Sequence, residues 1–147
     1  MANYYCRTRT NYFHVKDPEG FRVFMGGVHG TGDGVELWEE KGDAGELVFG
    51  FGTLGDISGW YDPNNKSDEA EDDDAAYDAF INGLQDHVAA DDAVIILESG
   101  YEKLNYIAGS ARIVTTNATE YIDLGGIACK KAAEMLGNPA WTTKCDY

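Results

Sequence analysis

The chain has 147 residues, 44% of them hydrophobic and 12% aromatic, and carries 26 acidic against 11 basic residues for a net charge of -15. That length suits a single domain over residues 1–147, able to bury roughly two-thirds of its unfolded surface, and the aromatic content excludes the class of disordered acidic chains. The charge argues against direct binding to nucleic acid or to an anionic membrane and favours basic protein surfaces.

The acidity is concentrated. Residues 33 to 98 hold nineteen acidic and two basic residues, a net of -17, whereas residues 1 to 32 carry +2 and residues 99 to 147 carry 0. No run of eighteen apolar residues occurs and the N-terminus lacks the apolar stretch of a secretory signal, so a cytoplasmic location is expected. Three widely spaced cysteines, Cys6, Cys129 and Cys145, contain no C-x-x-C pair and are read as buried or idle thiols.

In chain order, "YYCRTRTNYFHV" (residues 4–15) reads as a first strand, dense in aromatic residues and Thr. "DPEGFRVFMGG" then gives Asp17 as an N-cap, Pro18 at the first helical position and Phe21, Phe24 and Met25 on one side, a short helix ended by Gly26 and Gly27. "GGVHGTGDG" (residues 26–34) lacks the spacing of a phosphate-binding loop and carries Asp33, so it is read as a connector. "VELWEEK" and "ELVFGFGTL" predict a hairpin joined through Gly42–Gly45, and "GDISGWYDPNNKSDEAE" predicts a long loop.

Asp72, Asp73 and Asp74 precede a helical stripe of Tyr77, Phe80, Ile81, Leu84 and Val88, where carboxylates complement the partial positive charge of a helix start. "AVIILE" (residues 93–98) reads as a buried strand, "EKLNYIAGSARIVTT" as further strand with a bulge at Gly109, "TNAT" as a hairpin turn into "EYIDL", and "GIACKKAAEMLG" as a last helix ending near Gly137. The order strand, helix, two strands, helix, strands, helix predicts an α+β fold. Its expected form is a ferredoxin-like arrangement of an antiparallel sheet with helices on one face, extended by a C-terminal hairpin and helix.

Helix capping uses only a few of the carboxylates. A calcium loop laid from Asp62 fails where Lys66, Ser67 and Asp73 occupy positions that need a ligand, a glycine and a bidentate Glu. His14, His29 and His87 are scattered, without a zinc or catalytic spacing, and no acid pair or Cys-His combination is singled out. No enzyme activity, cofactor or metal is therefore expected. The carboxylates are read as a partner-binding surface: Glu36, Glu39, Glu40, Asp43 and Glu46 on the hairpin, Asp62, Asp68, Glu69, Glu71, Asp72, Asp73 and Asp74 in the following loop, with Trp60 and Tyr61 as aromatic anchors. Solvation alone, and a calcium-binding or hydrolytic use of residues 62–74, stand as alternatives.

"RTNYFHVKDPEGF" (residues 9–21), together with "AVIILESGYEKLNYIAG" (residues 93–109), resembles small acidic proteins of bacterial phages and conjugative elements, of the anti-CRISPR or anti-restriction type. The resemblance implies a non-enzymatic inhibitor that mimics nucleic acid and occupies the basic nucleic-acid-binding surface of a CRISPR or restriction nuclease. Homodimerisation through the aromatic strands is a second association, which the sequence leaves open.

Overall fold

The first strand, β1 (Tyr5–Thr10), alternates strictly: Tyr5, Arg7 and Arg9 face outward while Cys6, Thr8 and Thr10 are buried. This follows from the two-residue repeat of an extended chain. The computed structural model describes residues 4–32, 34–64 and 73–144. It is a mixed α+β fold in which α1 (Pro18–Met25), β2 (Val28–Gly30), β3 (Glu36–Lys41), β4 (Leu47–Thr53), β5 (Ile57–Trp60), α2 (Asp73–His87), β6 (Val94–Glu102), β7 (Tyr106–Val114), β8 (Thr119–Asp123) and α3 (Leu124–Met135) follow β1. Among the described residues, six strands form one antiparallel sheet in the order β3-β4-β1-β6-β7-β8, and β2 pairs with β5 in a separate antiparallel ribbon.

The core lies on one face of the large sheet. β4 reads "LVFGFGT", so Phe49 and Phe51 point the same way and meet Phe13 and Phe21 edge-on, while α2 adds Phe80, Ile81 and Leu84. Phe13, Phe21, Phe49, Phe51, Phe80, Leu84, Val94 and Val114 are fully buried. α1 begins as its sequence predicts, Asp17 accepting from the Gly20 N–H at 3.3 Å with Pro18 at the first turn, and α3 begins with the Asp123 side chain accepting from the Gly126 N–H.

Several expectations are corrected. Residues 57–60, read as loop, form β5, and residues 28–30, read as connector, pair with it across a register shift between His29 and Gly30. Each ribbon strand is short and rich in Gly or Ser, so local composition resembles a turn and the pairing is supplied from thirty residues away. Gly109 makes no bulge: β6 and β7 pair in continuous register through it, and its missing side chain leaves room for Leu124 at the start of α3. The first strand closes at Thr10, because Phe13 and Val15 make only isolated bridges to Phe49 and Val88.

Candidate acidic interface

β3 is an edge strand of the sheet, and its residues alternate between the two faces. Glu36 and Glu40 project on the outer face, opposite to the core, and Asp43 lies in the turn to β4; all three are exposed. Glu39 projects towards α1 and is gripped by Arg22, whose Nη2 and Nε donate to Oε1 at 2.5 and 3.1 Å. The Arg22 guanidinium is pushed up from its ordinary pKa by that hydrogen bond, and it also lies 5.5 Å over the Phe49 ring.

Glu46 serves the interior of the hairpin. Its carboxylate folds back over the turn to accept from the Ala44 N–H at 2.9 Å and also meets His14 Nε2 at 3.2 Å. The other ring nitrogen of His14 lies 2.8 Å from Asp92 Oδ2, which also accepts from the His14 backbone N–H. The hydrogen bonds to Asp92 and then to Glu46 hold the His14 pKa above its ordinary value. Glu46 is held below its usual value, first by its own backbone N–H and then by His14. Burial pushes Asp92 up, but the His14 and Ala93 donors outweigh it and the net shift is downward.

Of the remaining predicted interface residues, Asp62 and Asp74 are exposed and Asp73 is the first residue of α2. Asp68, Glu69, Glu71 and Asp72 lie outside the described residues. Asp62 Oδ1 accepts from the Asn64 N–H at 2.9 Å, an Asx turn. The two aromatic anchors are engaged internally. Trp60 donates its indole N–H to the Phe24 carbonyl at 2.9 Å and stacks on the Phe24 ring, while Tyr61 packs edge-on against His29.

A different aromatic lies among the carboxylates. Trp38 shares the outer face with Glu36 and Glu40 and lies across Gly50 and Gly52, so that a Cβ at Gly52 would stand 2.7 Å from the ring. The Arg9 guanidinium lies over the indole, 5.1 Å from its centroid. The signal for this arrangement was the "FGFG" alternation, which puts large side chains inside and none outside. The outer face continues as a cleft of about 1080 Å³ lined by Trp38, Leu54, Leu97, Ile122, Leu124 and Ile127.

No protein-family model, curated protein or solved structure matches this chain. Among the described residues, no helix is long and apolar enough to cross a membrane.

Proposed function

We propose that the chain is a non-enzymatic inhibitor, acting in the cytoplasm, whose acidic surface occupies the basic nucleic-acid-binding site of a host-defence nuclease of the CRISPR or restriction type. The observation that carries this reading is the β3 edge: Glu36, Glu40 and Asp43 have no ion-pair partner among the described residues and flank a partly exposed Trp38. Unpaired carboxylates beside an aromatic match a cationic groove in charge and offer it an apolar anchor. We also read the order β3-β4-β1-β6, with α1 and α2 as its crossovers, as the split β-α-β of a ferredoxin-like sheet to which β7, β8 and α3 are appended. That sheet class serves many functions, so the weight of the proposal rests on the charges.

The test is competition. A nuclease captured by the tagged protein at low salt is expected to release its nucleic acid when the wild-type chain is added. The substitutions Glu36→Lys, Glu40→Lys and Asp43→Lys together should abolish that effect, as should Glu69→Lys, Glu71→Lys, Asp72→Lys and Asp73→Lys, while Glu134→Lys should leave it intact. Undiminished inhibition by both multiple variants, with folding verified by circular dichroism, would remove the reading.

A further inference from the structure

Away from the acidic edge, three side chains from separate segments converge at the other end of β1. Cys6 Sγ, a carboxylate oxygen of Asp56 and one of Glu98 all lie within 4.8 Å of one another. Cys6 is only 9% exposed, and its thiol has no hydrogen-bond partner among the described residues although it sits against two carboxylates. We propose that Cys6, Asp56 and Glu98 form a binding site for a thiophilic divalent cation of the zinc class, using the thiolate and one oxygen from each carboxylate and leaving a fourth position to water.

The geometry is built by the fold. In the β1–β6 register Thr8 faces Glu98 and Cys6 faces Gly100, so Cys6 and Glu98 are diagonal neighbours on one face of the sheet. A side chain at Gly100 would collide with Cys6 Cβ and the Tyr4 hydroxyl, and its absence keeps the space open. Asp56 is delivered by the turn between β4 and β5. The Thr8 hydroxyl holds that turn by donating to the Gly55 carbonyl at 2.7 Å, and Thr31 binds the Asp56 backbone from both sides at 2.9 and 3.2 Å. Tyr4 donates to Glu98 Oε2 at 3.0 Å, the kind of outer hydrogen bond that orients a metal-binding carboxylate.

The chemistry suits such an ion. Donor atoms around a tetrahedral zinc stand about 3.5 Å apart, so small side-chain movements close this set around one. A thiolate beside two carboxylates selects against magnesium and calcium, which take oxygen ligands, and favours zinc or cobalt. Among the described residues neither Asp56 nor Glu98 has an ion-pair partner, so the two carboxylates bring to the site negative charge that a dication would neutralise. In the metal-free protein, burial and then the charges of Glu98 and Asp56 push the Cys6 thiol up to about 11, with Arg7 opposing by less.

Cobalt(II) is the probe, because a bound thiolate gives it a charge-transfer absorption that carboxylates cannot. The wild-type protein and the double variant Cys129→Ser/Cys145→Ser are expected to develop this absorption at one equivalent of cobalt and to lose it on addition of zinc; Cys6→Ser should not develop it. Should Cys6→Ser fail to fold, Asp56→Asn and Glu98→Gln decide the matter: both change partly exposed side chains and should weaken cobalt and zinc binding by at least about tenfold with the circular dichroism spectrum unchanged. The site is overturned if the wild type shows no thiolate absorption, if the absorption follows Cys129 or Cys145, or if the folded carboxylate variants bind as tightly as the wild type.

Discussion

His14 joins three segments that are distant in sequence, with Glu46 on one ring nitrogen and Asp92 on the other. Because its folded pKa is raised, protonation favours the folded state. That contribution is complete below the ordinary value near 6.5 and is lost as pH rises through the folded pKa. His87 works in the opposite sense, since burial lowers its pKa and its contribution is lost as pH falls below about the same value. Above pH 6.5 the two are therefore separable. Thermal melts should show the wild type losing stability relative to His14→Ala as pH rises from about 6.5 to 8, and parallel curves over that window would refute the bridge. Glu46 and Asp92, both depressed, lose their contributions only in the acid range. At Gly52 a second residue-level outcome is expected. Gly52→Val would drive a branched side chain into the Trp38 ring and the Thr8 carbonyl, costing about 1–3 kcal/mol and shifting indole emission towards that of a wetter ring. Unchanged denaturant midpoints and fluorescence would show that Trp38 does not lie across the strand.

Among the elements, α2 tests the core most directly. Its buried stripe of Ala76, Phe80, Ile81 and Leu84 continues into Val88, the period expected of a helix laid on a sheet. Phe80→Ala or Leu84→Ala should cost about 2–5 kcal/mol in chemical unfolding, whereas Asp78→Ala, on the exposed side, should cost within about 0.5 kcal/mol. Small effects at all three positions would mean that the helix does not cover the sheet. The stripe and the Asp17-Pro18 start of α1 were legible because both are short-range patterns. The β6–β7 hairpin was not, because its turn runs Glu102-Lys103-Leu104-Asn105 and places Lys103 at a φ of 50°, where Gly or Asn would have been the recognisable residue.

Across the whole molecule the charge of -15 acts on folding and on association with opposite signs. Like charges in residues 33 to 98 repel one another in the native state, so moderate salt should raise the melting temperature by screening that repulsion. The same salt should weaken binding to a basic partner, and the two effects can be measured in one buffer series. A melting temperature that falls with added sodium chloride would indicate that paired charges, such as Arg22 with Glu39 and His14 with Asp92, outweigh the repulsion. The hairpin carboxylates also illustrate how folding divides a charge run. Glu39 and Glu46 are drawn into pairs with Arg22 and His14, while Glu36, Glu40 and Asp43 stay exposed on the edge.

Charge distribution, the positions of α1 and α2 and the inward-facing residues of β1 and β4 were determined by the amino-acid sequence itself, since each depends on neighbours within a turn or two of chain. Strand alternation likewise assigns Phe49 and Phe51 to one face and Gly50 and Gly52 to the other without reference to any partner. What stands beside each strand was decided only in three dimensions. The pairing of β2 with β5, the His14 bridge and the meeting of Cys6, Asp56 and Glu98 all join residues whose separation along the chain carries no local signal. Such contacts form only when the whole core, in which Phe13, Phe21, Phe51 and Phe80 pack together, makes closing the intervening loops favourable.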